Sequence, residues 1–241
     1  MPYRVKFLLI FCLMFVGVYA GASFLLKDFS LYETRDKKNI LQKTLLPVSM
    51  QNQFATNTGN SAIDSFTLPD SLAKIDTLLV AHKSDYRMQL YSKGKMLKTY
   101  IIALGQSPIG HKVQQGDNHT PEGMYKIIQK SRGPFSGSAS AYFGVAWMRL
   151  NYPNNADAVN GFKKGLITQA QENAIIKANN AGKEPPKTTT LGGGIGIHGW
   201  NGSWPSDDQQ NLTWGCISVQ NDELDDLYKR VPVGTSILIL K

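Results

Sequence analysis

Residues 195–221 read Ile195-Gly196-Ile197-His198-Gly199-Trp200-Asn201-Gly202-Ser203-Trp204-Pro205-Ser206-Asp207-Asp208-Gln209-Gln210-Asn211-Leu212-Thr213-Trp214-Gly215-Cys216-Ile217-Ser218-Val219-Gln220-Asn221, with an imidazole and a thiol eighteen positions apart. A free thiol has a pKa near ~8.5 and is only a few per cent thiolate at neutral pH, whereas a neighbouring imidazole takes its proton as the sulfur attacks. The pair is the minimum kit of a cysteine nucleophile. Ile195–His198 reads as a short strand that opens into a loop at Gly199, and Gly215 lets another backbone approach just before Cys216 starts an apolar step. The bland alternative for a lone cysteine is a buried structural residue.

Outward from this stretch, Asn221 is placed to cap a short helix with Asp222 and Glu223 in its first turn and Leu224, Leu227 and Tyr228 facing inward. Val231–Gly234 then turns into a last strand, Thr235–Leu240. Upstream, Gly192-Gly193-Gly194 reads as a flexible approach to Ile195–His198, since neither a Lys-Ser/Thr step nor a helix start follows it. Thr168–Ala181 is the clearest helix: Thr168 and Gln171 form a capping box, and Gly182 with Pro185-Pro186 ends it. Strand patterns fill the rest from residue 73, at Ile75–Ala81, Arg87–Tyr91, Met96–Leu104, Met124–Gln129 and Tyr142–Tyr152, with Ser92-Lys93-Gly94-Lys95 as a hairpin turn. Ser131–Ala141, rich in Gly and Ser, is the candidate mobile segment. The fold class is therefore mainly β with a few short helices and a helical insertion.

His198-Gly199, a loop of this length and Thr213-Trp214-Gly215-Cys216-Ile217, preceded by Thr120-Pro121-Glu122-Gly123, resemble the L,D-transpeptidases, the YkuD-type domains of bacterial cell-wall enzymes. Many members carry His before Gly-Cys and Arg or Asn two residues after it. Trp214 and Ser218 stand there in this chain, which is similar to the branch called YafK-like. The resemblance implies a β-sandwich-like catalytic domain over residues 71–241. It implies that Cys216 attacks the third stem-peptide residue of peptidoglycan, that His198 accepts the thiol proton, and that the Gly199 carbonyl orients the imidazole. The backbone N–H groups of Trp214, Gly215 and Cys216 would hold the oxyanion, and Trp200, Thr213 and Ser218 would touch substrate. Trp200 and Trp214 either wall the groove or are simply packed. No cofactor is needed for acyl transfer by a thiol. The acceptor stays open between a second stem peptide, a wall-anchored protein and water, the last making a hydrolase that cuts a stem peptide or an amidase that releases wall-linked protein, and a non-catalytic wall-binding module is the other class. Thr120–Gly123 itself has a structural explanation, since Pro121 fixes its own φ and Gly123 permits a tight turn.

The chain has 241 residues, 42% of them hydrophobic, enough for one sizeable domain plus a leader. Arg4 and Lys6 precede an apolar run from Phe7 to Leu26, about the length of a membrane-spanning helix, so residues 1–27 read as an uncleaved anchor or a cleaved signal peptide. Either one exports the remainder, to the periplasm or cell envelope, with residues 28–70 as a polar linker. Phe11 argues against lipid attachment at Cys12, and Cys216 is the one thiol of the exported part. The net charge of +8 is scattered, with no nucleic-acid-binding motif, and suits retention near an anionic membrane or wall polymer. His111 and His119 lack the ligand spacing of a metal site.

Overall fold

The structure is a computed structural model that describes residues 66–137, 142–204 and 210–241. The apolar run at 7–26 and most of the polar linker lie outside the described residues, and among those described no helix is long and apolar enough to cross a membrane. The described residues form ten strands: β1 (Leu78–His82), β2 (Arg87–Ser92), β3 (Lys95–Ile101), β4 (Ala103–Gly105), β5 (Gly123–Arg132), β6 (Ala146–Leu150), β7 (Gly196–His198), β8 (Gln210–Thr213), β9 (Ile217–Ser218) and β10 (Ser236–Leu240). Among the described residues four helices accompany them: α1 (Asp70–Ala73), α2 (Asn155–Lys163), α3 (Gln169–Asn180) and α4 (Asn221–Arg230).

The strands make one continuous sheet in the order β3-β2-β1-β10-β5-β6-β7-β9-β4-β8, curled on itself, where two packed sheets were expected. The reason lies in β5. Its first half pairs with β10 (Tyr125 opposite Ile237), and its second half pairs with β6 (Ser131 opposite Trp147) after an irregularity between Ile127 and Gln129. A strand that changes partner at a bulge bends the sheet without breaking it, so both halves wrap one core. Leu79, Met88, Leu104, Met148, Ile197, Ile217 and Ile237, drawn from seven strands, meet in that core.

β1 is apolar at successive positions because both of its faces are covered. Leu79 and Ala81 enter the main core, while Leu78 and Val80 pack under Leu72 of α1 and under Phe66 and Leu68. Phe66 and Leu68 thus pack with the domain. The β2–β3 turn carries positive φ at Lys93 (47°) and Gly94 (77°), the conformation that two-residue hairpins need.

α3 begins where its capping box predicts, with the Thr168 side chain accepting from the Gln171 N–H. α2 was missed, because Asn151-Tyr152-Pro153-Asn154 reads as a strand end. Its signal was a second capping box, Asn154 with Asp157, whose backbone N–H groups donate reciprocally at 2.8 and 2.9 Å. Strand β6 accordingly spans only Ala146–Leu150 of the predicted Tyr142–Tyr152. Asn221 starts α4 but does not cap it: Gln220 is the cap residue, and the Asn221 side chain accepts from Val145 N–H (3.1 Å) and donates to the Trp200 carbonyl (3.1 Å).

Lys83 ties the end of β1 to the Thr120–Gly123 step. Its buried ammonium donates to Glu122 Oε1 (2.9 Å) and to the carbonyls of Gly110 (2.5 Å) and Thr120 (3.1 Å). Burial lowers the Lys83 pKa, and Glu122 opposes the shift. Removing one partner of a buried pair strands the other, so Lys83→Met is expected to cost about 3 kcal/mol. That is a fall in Tm of roughly 10 °C for a domain of this size, with much of it restored by adding Glu122→Gln. Thermal melts of the three proteins check this, and an unchanged Tm in Lys83→Met refutes it.

Candidate active site

β7 and β9 lie parallel, with Ile197 opposite Ile217 and His198 opposite Ser218. Side chains alternate along a strand, so Ile197 and Ile217 enter the core while His198, Ser218 and Cys216 fall on the other face. Continuing the register one step back sets Cys216 beside Gly196, a residue without a side chain. The thiol and the imidazole are thus diagonal neighbours on one face, and both line the same cavity of about 720 Å³.

His198 is 3% exposed and packs against the rings of Phe143 (5.2 Å between centroids) and Trp147 (5.9 Å). Its Nδ1 lies 2.5 Å from the Gly199 carbonyl oxygen, and because a carbonyl only accepts, Nδ1 carries the hydrogen and Nε2 is left as an acceptor. Burial pushes the imidazole pKa down to about 4, against an upward pull from the carbonyls of Gly199 and Tyr142. The resting ring is neutral at physiological pH.

Ser218 lies elsewhere than the substrate contact expected of it. It is fully buried, and its hydroxyl reaches the carbonyl oxygens of Gly199 (3.1 Å) and His198 (3.3 Å), behind the imidazole rather than in the cavity. The parallel pairing of β7 with β9 puts it there, since residue 218 must stand opposite residue 198.

Burial raises the Cys216 thiol to about 11, opposed by the N–H of Gly196 and by the charges of Lys112 and Arg149. The Sγ sits 3.7 Å from the Gly194 carbonyl. Gly215 before it has φ 124°, and a Cβ there would lie 2.7 Å from the His119 carbonyl oxygen, so the close backbone approach expected of this glycine is present. Thr213 lines the cavity with its hydroxyl committed to the turn: it donates to the Cys216 carbonyl (2.7 Å) and accepts from the Gly215 N–H (3.2 Å). In this state the Gly215 N–H faces Thr213 and is not offered to an oxyanion.

Trp200 and Trp214 both line the cavity, and Trp214 is 61% exposed. Tyr142 stands between them, 4.8 Å from Trp214 and 6.3 Å from Trp200 by ring centroids. The sequence reading placed Tyr142 and Phe143 in a core strand and gave Lys112 no role, yet all three line the cavity. Lys112 falls in the Gly- and Pro-containing stretch before Thr120, whose composition marks a loop but not where the loop goes, and Tyr142-Phe143 reads as strand. Of the predicted mobile segment, Ser131 and Arg132 end β5, and residues 138–141 lie outside the described residues. The Gly192–Gly194 wall is backed by the helical insertion: Leu191 packs with Ala158, Ile167 and Ile175, and Tyr152 donates to its carbonyl (3.1 Å). His111 and His119 are occupied away from the thiol, His111 Nε2 by Asp157 (3.3 Å) and His119 Nδ1 by the Ser107 carbonyl (2.8 Å).

The profile of the YkuD family, described as the L,D-transpeptidase catalytic domain, matches residues 76–239. The chain belongs to this family. Among curated proteins no match is found. Similar solved structures include a variant of the helical cell shape determining protein Pgp2 from Campylobacter jejuni, with TM-score 0.47 and 24% identity over 68% of this chain and 46% of that one. Bd1075 from Bdellovibrio bacteriovorus gives 0.46 and 21%, covering 70% and 49%, and an L,D-transpeptidase from Mycobacterium smegmatis gives 0.42 and 16%, covering 69% and 59%. The chain spans just under half the length of the first two. Within the YkuD domain, Cys216 and His198 occupy the floor of the cavity and Trp214 its rim.

Proposed function

We propose that this YkuD domain is a cysteine acyltransferase of peptidoglycan stem peptides, working outside the cytoplasmic membrane. One observation carries the reading: a neutral imidazole and a thiol share one face of adjacent parallel strands at the floor of an open cavity, with Nδ1 tied to the Gly199 carbonyl. A depressed imidazole and a raised thiol disfavour a resting ion pair, so the proton moves to His198 Nε2 as sulfur bonds to the carbonyl carbon of the third residue. The tetrahedral oxyanion is held by backbone N–H groups of the 214–216 turn, each worth on the order of ~3 kcal/mol. The Gly215 N–H joins them when the turn releases it from Thr213. Collapse breaks the C–N bond to D-alanine, His198 returns the proton to the leaving amine, and a thioester remains on Cys216. An incoming amine then gives its proton to His198, forms a new amide and frees the thiol.

The acceptor amine belongs either to a second stem peptide, giving a 3→3 crosslink, or to a wall-anchored protein. With water the same thioester yields a tripeptide, as a carboxypeptidase would. The test is mass spectrometry of the protein incubated with disaccharide-tetrapeptide, alone and with added amine. Cys216-dependent dimers or amine exchange are expected. Tripeptide alone, undiminished by amine, moves the reading to a hydrolase, and bound muropeptide with no thioester and no D-alanine release leaves a binding module.

A further inference from the structure

Among the described residues that line the cavity, Lys112 is the one side chain with a permanent charge. It sits on the loop between β4 and β5, 4% exposed, and its Nζ donates to Asp117 Oδ1 (2.7 Å) and to the Gln114 carbonyl (2.9 Å). Asp117 offsets part of that charge, but it does not line the cavity and its carboxylate is shared with its own loop. It accepts the N–H groups of Val113 (2.7 Å), Gln114 (2.8 Å) and His119 (3.1 Å) as well as the ammonium, and these contacts hold its pKa low although burial alone would raise it. Two acceptors fill two of the three ammonium N–H bonds, and the Tyr152 ring, 5.9 Å from Nζ, stands at the outer limit of a cation–π contact. A donor thus remains on a cation in an aromatic and glycine-lined wall, where an anion gains far more from it than in water.

We propose that Lys112 is the anion subsite of this cavity and takes the free carboxylate of the D-amino acid that the acyl transfer releases. The proposal rests on the acyl-transfer reading above. Its chemistry is short-range: three bonds join the carbonyl carbon attacked by sulfur to the carboxylate carbon of the leaving residue. A cation beside the thiol is therefore within reach of that carboxylate. Lys112 and Cys216 both line this cavity, which sets the two side chains on one site and not on opposite walls of the domain. The contact selects donors that end in a free acid one residue beyond the scissile bond. It rejects those that continue or are amidated there, because the buried ammonium would then go unpaired.

The experiment compares disaccharide-tetrapeptide with its C-terminal amide as donors, following D-alanine or D-alaninamide release by the full chain and by Lys112→Met. The parent is expected to prefer the free acid by roughly 30-fold in kcat/KM, the range of a charge-assisted hydrogen bond. In Lys112→Met the preference should fall to within about three-fold of unity, with the acid donor losing far more than the amide. Equal use of both donors by the parent overturns the subsite while leaving acyl transfer standing, however the variant folds. An undiminished preference in a folded Lys112→Met overturns it too. Release from neither donor by the parent overturns the acyl-transfer reading and the subsite with it.

Discussion

Cys216→Ala is expected to lower D-alanine release from a disaccharide-tetrapeptide by about 10⁴-fold or more, to the residue that oxyanion contacts and binding alone supply. The variant should fold. Cys216 is partly exposed at the edge of the core, and its Sγ makes only weak polar contacts, at 3.7 Å to the Gly194 carbonyl and with the Gly196 N–H, so Ala removes one atom from the cavity floor and leaves the core in place. Intact-mass spectrometry should find a stem-peptide adduct on the parent and none on the variant, with matching circular dichroism and Tm. Turnover at the parent rate would end the thioester mechanism, whatever else the cavity binds.

His198→Gln should slow acylation by roughly 10³-fold while leaving binding of donor near the parent value, because the ring is placed to accept a proton and does not form the cavity wall alone. Its pH signature is as informative as its rate. The ring must be neutral to accept, and burial lowers its pKa to about 4, so activity is lost only as pH falls toward that value. The thiol, raised to about 11, stays protonated until strongly alkaline pH. The expected kcat/KM of the parent is therefore flat from about pH 6 to 9, with an acid limb below about 5 that disappears in His198→Gln. A preformed thiolate–imidazolium pair would instead give a bell with a limb inside the neutral range. Observation of that bell would refute the neutral pair, and acylation by His198→Gln at the parent rate would remove the ring from the mechanism.

The fold leaves particular residues doing work that alternation and spacing do not advertise. Ser218 follows Cys216 by two positions and is a natural candidate for touching substrate. The strand pairing sets it opposite His198, so that its hydroxyl supports the carbonyl that holds the imidazole. Asn221 has the composition of a helix cap, yet its amide ties the Trp200 carbonyl to Val145 N–H. It joins the loop after the imidazole to the segment that carries Tyr142 and Phe143. Both residues are polar and small, and such side chains take whichever partners tertiary contact brings within ~3 Å.

What the sequence by itself determined was local or short-range in origin. The thiol and imidazole, the glycine before Cys216, the Lys93-Gly94 hairpin and the capped helix at 169–180 each follow from residue chemistry or from φ preferences a few positions wide. The mainly β character follows from alternation in the same way. Only the tertiary structure decided that β5 would change partners and curl one sheet around one core, because pairing between distant strands has no signature within either strand. It also decided that β7 and β9 would run side by side, placing Cys216 and His198 on one face although they stand eighteen positions apart. The turn of a loop 100 residues upstream that sets the Lys112 ammonium in the same cavity was decided there too, since a buried charge takes its place from partners such as Asp117 and from packing, not from its own neighbours in the chain.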